Sequence, residues 1–428
     1  MKFEIGDNLF VTEDTREACE NTYFLKTKLN SRYLDSLDSN VKVITPKELI
    51  DIWGLKDLKV VGITGTNGKT TTAAVLYSIL TDLNEVTALQ GTRGFFINDE
   101  QLQQKSLTTP TTLQTLHNMK VAKDKGAKFF VMEVSSHAIV QERAEGIEFA
   151  LKVFTNVTQD HLDYHKTIQE YRAVKSSFFA DSSLKLINKD ESKKITFNPT
   201  KAYTYALDEG ATFKIDAFSL TDGITAAINH LGEIATFKSS LVGLFNVYNL
   251  TAAVSSAKLL TQKPLEEICE VVENFGGVSG RMEVVSQEPL IIVDFAHTPD
   301  GIFKVLESIK DKDISVVFGA GGDRDHDKRP KMGLAAARFA KKIYITSDNP
   351  RSENPQDIIE DIARPLQGKD GVVKIVDRKE AIKVAIDELQ KDEVLLILGK
   401  GDEDYIEIDG KKIPYSDKES VLEILANR

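Results

Sequence analysis

Apolar and polar positions along this chain form a pattern that restarts twice. The first ~55 residues are mostly polar, with short apolar runs such as Val41-Lys42-Val43-Ile44-Thr45, and predict a small α/β module. Lys59-Val60-Val61-Gly62-Ile63 is a β-branched run that ends at a glycine-rich turn, the signature of a short strand. Leu76, Ile79, Leu80 and Leu83 then recur at helical spacing between Thr71 and Leu83. Lys128-Phe129-Phe130-Val131-Met132 and Leu151-Lys152-Val153-Phe154 read as further buried strands, and strands alternating with helices predict a mostly parallel sheet. From about Arg281 the pattern begins again. Leu290–Val293, Ile314–Phe318, Lys342–Ile345, Val372–Val376 and Val394–Leu398 are short apolar runs separated by helical segments. Between the first two, Thr298-Pro299-Asp300 carries an N-cap followed by proline at the first helical position. The expected fold class is α/β with three domains: residues 1–58, 59–280 and 281–428, the last a Rossmann-like, doubly wound unit.

Composition narrows the function without naming it. The chain has 428 residues, 41% hydrophobic and 28% charged, enough to build several cores. A net charge of -11 argues against a general nucleic-acid binder, which would show a basic face. Cys19 and Cys269 stand far apart with no ligand-like spacing, so neither a zinc site nor a disulfide framework is expected, and a reducing compartment fits. The opening MKFEIGDNLF lacks the basic and apolar segments of a signal peptide, and no uncharged run approaches the ~18 residues of a spanning helix. A soluble, cytoplasmic, monomeric protein without membrane insertion is the expectation.

The chemistry begins at Gly65-Thr66-Asn67-Gly68-Lys69-Thr70-Thr71, between a strand and a helix. Glycines let backbone N–H groups converge on phosphate oxygens, and the helix N-terminus adds a favourable partial charge. Lys69 would reach the β/γ-phosphates of ATP, and Thr70 or Thr71 would hold Mg²⁺. Ile63 stands where the strict phosphate-loop pattern has its first glycine, which leaves an ordinary strand–helix turn as the competing reading. With Gly-Lys-Thr in this context, a central P-loop mononucleotide-binding domain is favoured. Glu133 follows the apolar strand Phe129–Met132, so its carboxylate emerges at the sheet edge where α/β proteins bind ligands. Asp160-His161-Leu162-Asp163-Tyr164-His165 follows another strand end. By itself that cluster reads equally as a solvated loop; beside Glu133 and a phosphate loop it favours a Mg²⁺ site.

The T-G-T-N-G-K-T loop, M-E-V-S-S-H-A around Glu133 and D-H-L-D-Y-H from Asp160 resemble signature blocks of the Mur ligases, which are related to the folylpolyglutamate synthases. The resemblance implies metal binding by Glu133 and His161, and a carbamylated lysine at Lys175, whose carbamate would supply an anionic oxygen ligand. Without that context Lys175 reads as a surface lysine snorkelling beside Tyr171, Val174 and Phe178. It further implies contacts from Thr108, Thr109, Ser135, Gln141 and Arg143 to the muramoyl part of a UDP-MurNAc-L-Ala-D-Glu substrate. Asn246 and Asn249 would approach the adenine, with Arg281 closing over the nucleotide. Gln159 and Lys166 depart from the family pattern, which usually has Arg and Gly there.

Four polar clusters follow strands of the last domain: Asp294–Pro299, Gly321–Asp325, Asp348–Arg351 and Gly399–Glu403. Gathered at one sheet edge they would form a ligand crevice. Asp348-Asn349-Pro350-Arg351 resembles the block that marks family members adding meso-diaminopimelate rather than L-lysine. Arg351 suits the distal carboxylate of that amino acid as a bidentate partner, and Arg324, Asn349, Gly399 and Glu403 map to its other contacts. Lysine is expected to leave Arg351 buried and unpaired, at a cost of ~2–5 kcal/mol. Asp402 replaces the family's usual His. The resemblance implies an ATP-dependent amide-bond ligase working through an acyl phosphate. An L-lysine-adding or folylpolyglutamate-type ligase is the near rival, and an ATPase that uses the nucleotide as a switch the distant one.

Overall fold

The computed structural model describes residues 1–6, 8–98, 100–104 and 107–428. Among these residues, three sheets and a separate two-stranded hairpin follow one another along the chain. The N-terminal sheet joins Lys2–Gly6, Leu9–Thr12, Thr22–Leu25 and Lys42–Ile44 in chain order. Helix Pro46–Trp53 follows. It opens with a reciprocal Thr45–Glu48 capping box and proline in its first turn, and stops at Gly54, whose φ of 61° suits glycine. Its apolar face (Leu49, Ile50, Trp53) shares one core with Leu113, Leu116 and Met119 of helix Thr112–Asp124, so this module leans on the central sheet.

Among the described residues the central sheet has eleven strands; Lys59–Thr64 lies between Phe149–Phe154 and Phe129–Glu133 and is parallel to both. Phe154 lies opposite Thr64, and Ile63 opposite Glu133. That register brings three strand ends to one edge. The β-branched and aromatic strands are buried on both faces, as a helix-covered parallel sheet requires. The alternation did not reveal the antiparallel additions: after Phe213–Ser219, which joins parallel to Ala202–Ala206, Ile224–His230 and Glu233–Ser239 extend one side, and Gly94–Ile97 with Glu100–Gln103 the other. Helix Leu244–Thr261 is buried nearly all round and packs on the phosphate-loop helix Lys69–Asp82.

The C-terminal sheet runs Glu283–Gln287, Leu290–Asp294, Glu393–Leu398, Asp313–Phe318, Lys342–Ile345, Val372–Lys374. Apart from the first strand it is parallel, so the loops after Asp294, Phe318, Ile345 and Leu398 share one edge. A fully buried Arg378–Asp417 pair braces that edge: Arg378 Nε and Nη2 donate to the carboxylate at 2.7 and 2.8 Å, and Nη2 also to Leu398 O at 2.8 Å. The hairpin Tyr405–Ile408/Lys411–Pro414 crosses the rim.

Candidate active site

The phosphate loop is pinned by the segment after strand Phe149–Phe154. Thr66 N donates to Asn156 O at 2.9 Å, Asn67 N to Asn156 Oδ1 at 2.9 Å, and Thr155 Oγ1 to Asn67 O at 2.7 Å. Close packing explains two glycines. A Cβ on Gly65 would lie 1.8 Å from Thr155 Oγ1, and one on Gly68, at φ 84°, 2.3 Å from Asn249 Oδ1. Lys69 Nζ donates to Gly65 O and Thr66 O at 2.8 and 2.9 Å. Burial pulls Lys69 below the ordinary lysine range, against the opposing fields of Glu133 and Asp160.

Of the two candidate hydroxyls, Thr70 faces Glu133, donating from Oγ1 to Oε2 at 2.8 Å; Thr71 is buried nearby. Glu133 also accepts from Thr92 N at 2.8 Å, and Thr92 Oγ1 meets Thr108 Oγ1 at 3.1 Å. A hydroxyl and a carboxylate beside a phosphate loop are hard oxygen donors that fit Mg²⁺, which completes its shell with phosphate and water. The described residues contain no metal-holding group of three His, Cys, Asp or Glu. His161 adopts φ 54°, its Nε2 lies 3.3 Å from Asp160 Oδ2, and its ring packs edge-on against His137. Burial takes its pKa down to about 3 against the pull of Asp160, so the imidazole is neutral, the form that ligates metals.

Lys175 is not a surface lysine. It is 1% exposed, donating to Gly65 O at 2.9 Å over the Tyr171 ring, because helix Ile168–Ser177 packs under the phosphate loop. Burial, and then the charge of Lys69, hold its pKa well below the ordinary lysine value. Lys166 takes φ 62°, a backbone conformation that favours the glycine usual there.

The residues mapped to the muramoyl substrate form one connected group. Thr109 Oγ1 donates to Glu133 O at 2.9 Å and accepts from Ser135 N at 3.0 Å, and Ser135 Oγ caps the short helix Ser136–Val140. Arg143 Nη1 donates to Thr109 O at 2.6 Å, and Arg143 Nε to Gln141 Oε1 at 2.9 Å. Asn246 and Asn249 are buried in helix Leu244–Thr261, where Asn249 Nδ2 donates to Asn246 Oδ1 at 3.0 Å. Arg281 lies over the Phe295 ring at 4.1 Å.

In the C-terminal crevice the motif residues meet a lysine that did not stand among the expected contacts. Lys400, with no exposed side-chain surface, reaches Asn349 Oδ1 and Glu403 Oε2 at 3.0 Å each and Asp348 Oδ1 at 3.4 Å. Asn349 Nδ2 donates to Glu403 Oε2 at 2.9 Å. Gly399 lies so close to Asp348 that a Cβ would sit 2.6 Å from Oδ2, and Pro350 O packs against Gly322. Arg351 corrects one expectation: it is neither fully buried nor unpaired. Its side chain is 22% exposed, Nε donates to Glu407 Oε2 at 3.1 Å, and Nη1 to Gly322 O at 2.7 Å. Glu407 belongs to the rim hairpin, whose sequence carried no signal of this role. Nothing in the spacing of Glu403-Asp404-Tyr405-Ile406-Glu407 points at Arg351.

The two ligand-bearing edges face each other. Gln159 Nε2 donates to Asp325 Oδ2 at 3.0 Å while Lys331 Nζ donates to Gln159 Oε1 at 2.8 Å. Arg324 pairs with Asp163 at 3.3 Å, Lys328 lies 4.0 Å from Asp160, and Asn67 Nδ2 donates to Asp300 Oδ2 at 3.0 Å. A phosphate-loop edge bridged to a second ligand-bearing sheet edge is the layout of an ATP-dependent ligase, in which activated acid and incoming amine must meet.

Comparison with known proteins agrees. The Mur ligase middle domain matches residues 63–257, and the Mur ligase, glutamate ligase domain residues 280–401. UDP-N-acetylmuramoyl-L-alanyl-D-glutamate–2,6-diaminopimelate ligase of Helicobacter pylori is 49% identical over 98% of this chain and 96% of its own. The Wolinella succinogenes protein of the same name is 51% identical over 97% and 96%. A solved structure under that name superposes with TM-score 0.67 at 29% identity, covering 97% of this chain and 94% of the other. Folylpolyglutamate synthase of Mycobacterium tuberculosis, at 17% identity, TM-score 0.69 and 83% and 91% coverage, shares the fold. This chain belongs to the Mur ligase family.

Proposed function

We propose that this protein joins meso-diaminopimelate to the free D-Glu carboxylate of UDP-MurNAc-L-Ala-D-Glu at the expense of ATP, in the cytoplasm, as a step of peptidoglycan precursor synthesis. The observation that carries the choice of amino acid is the Asp348–Arg351 loop, which lies at the crevice rim with Arg351 Nη2 donating to no acceptor among the described residues. Near-full-length relatives bearing the matching name support it. No helix among the described residues is long and apolar enough to cross a membrane.

In this reading the phosphate-loop amides and Lys69 orient the ATP phosphates toward the substrate carboxylate. Thr109, Ser135 and Arg143 present the muramoyl dipeptide beside Glu133. Thr70, Glu133 and His161 would hold Mg²⁺, which would supply charge neutralisation at the transferring phosphoryl group. The crevice of Arg324, Asn349, Arg351 and Glu403 grips the amino acid so that its amine meets the acyl phosphate, and a tetrahedral intermediate collapses to amide and phosphate. Contacts across the cleft, Gln159 to Asp325 and Arg324 to Asp163, hold the edges together and limit water. The burial of the Lys175 amine against Gly65 supports carbamylation there, which ¹³C-labelled bicarbonate and NMR of the full chain would detect.

The test is phosphate release with ATP, Mg²⁺ and UDP-MurNAc-L-Ala-D-Glu in the presence of meso-diaminopimelate, L-lysine or no amine. Release that depends on meso-diaminopimelate is expected. Equal release in all three would reduce the protein to an ATPase, and preference for lysine would reverse the assignment of Arg351.

A further inference from the structure

Arg351 meets its ligand with its donors partly committed. A bidentate carboxylate needs two parallel N–H donors on one edge of the guanidinium. On the Nη1 side stands Gly322 O, a backbone atom that cannot retreat, because Gly322 packs so tightly on Pro350 that a Cβ would lie 1.9 Å from its carbonyl oxygen. On the Nε side stands the Glu407 carboxylate, whose side chain is 27% exposed and free to swing into water. The backbones on either side are fixed. Arg351 N donates to Glu407 O at 3.0 Å, Asp409 N to Arg351 O at 2.9 Å, and Glu407 N to Asn349 Oδ1 at 2.9 Å. Arg351 sits at φ 53°, held there by this stitching. One partner of the guanidinium is therefore immovable and the other exchangeable.

We propose that Glu407 is a specificity-determining residue: its carboxylate holds the Nε edge of Arg351 and must be displaced by the distal carboxylate of the incoming amino acid. The proposal rests on the diaminopimelate reading above. Two consequences follow from competition for one edge. The tethered carboxylate raises the KM for meso-diaminopimelate. With L-lysine, which lacks the distal carboxylate, Glu407 stays in place and keeps Arg351 paired. Glu407 therefore softens discrimination against lysine instead of sharpening it.

The experiment titrates meso-diaminopimelate and L-lysine in the phosphate-release assay with wild type, E407Q, R351A and R351A/E407Q, each checked for folding by circular dichroism. E407Q keeps the backbone bonds and removes the competing charge. It is expected to lower the KM for meso-diaminopimelate ~2- to 5-fold, the range for a partly exposed ion pair, with the change falling on KM more than on kcat. It should also lower kcat/KM for lysine, widening the ratio between the two amines, and E407Q should shift neither value once Arg351 is alanine. An unchanged or raised KM for meso-diaminopimelate in E407Q, or a shift that persists without Arg351, overturns the proposal. Calorimetric binding of meso-diaminopimelate to wild type and E407Q decides the contest independently of turnover. Tighter binding to E407Q supports it and equal or weaker binding rejects it, while phosphate release indifferent to amines rejects the ligase reading alone.

Discussion

Replacing Lys400 by methionine tests whether one buried cation organises the amino-acid crevice. Its ammonium has no exposed surface and contacts Asp348, Asn349 and Glu403. Removing one member of a buried pair costs ~3–5 kcal/mol because the remaining charge is stranded. Two features place this site at the lower end. Glu403 is 25% exposed and can rehydrate, and Asp348 keeps the field of Arg378. A loss of ~3 kcal/mol corresponds to a urea midpoint lower by about 1–2 M for the transition of the C-terminal domain. The sign with pH follows from Asp348. Burial would raise its carboxyl, but Lys400 and then Arg378 outweigh burial and hold it below the usual carboxylate range. The unfolded chain then takes up the proton first, so this contribution is full above about pH 4 and fades as pH falls through the folded value. The gap between wild type and K400M should therefore be widest near neutrality and shrink in acid. KM for the amine should rise at least about tenfold, since Asn349 and Glu403 lose the donor that orients them. A folded K400M with a stability loss under about 1 kcal/mol at pH 7 and an unaltered KM would refute the reasoning.

Glu133→Gln keeps the shape beside Thr70 and Thr92 but removes the charge, so phosphate release should fall ~100-fold or more while ATP still binds, as read by nucleotide fluorescence. Gly65→Ala forces a methyl to within 1.8 Å of Thr155 Oγ1 and should abolish ATP binding in equilibrium dialysis; adding Thr155→Ala relieves that contact but leaves the Asn156 backbone 3.1 Å away, so rescue should be partial. His117 stacks on Phe3 at 3.6 Å and meets the Trp53 edge, joining the N-terminal module to the central domain. Burial, and then Lys120, lower its pKa, so the unfolded chain binds a proton first below about pH 6.5 and stability declines as pH falls toward the folded value. Urea midpoints between pH 7.5 and 5 should fall more for wild type than for His117→Phe.

What the sequence determined by itself was local. Strand Lys59–Thr64, its glycine turn and helix Lys69–Asp82 are written in contiguous residues, since apolar period and loop chemistry act over a few positions. The same holds for the Asp348–Arg351 block and for Glu133 at a strand end, so the class of chemistry was legible before any coordinates. Tertiary structure decided which charges meet. Strand Glu393–Leu398 inserts between Leu290–Asp294 and Asp313–Phe318, and that order, not chain order, carries Lys400 to Asp348 and Asn349, about fifty residues earlier. Helix packing turned Lys175 from a plausible surface lysine into a buried amine. Backbone pairing of the rim hairpin with Arg351 set Glu407 on its guanidinium. A side chain's partner depends on strand order and on which groups burial forces together, and neither is a local property of the chain.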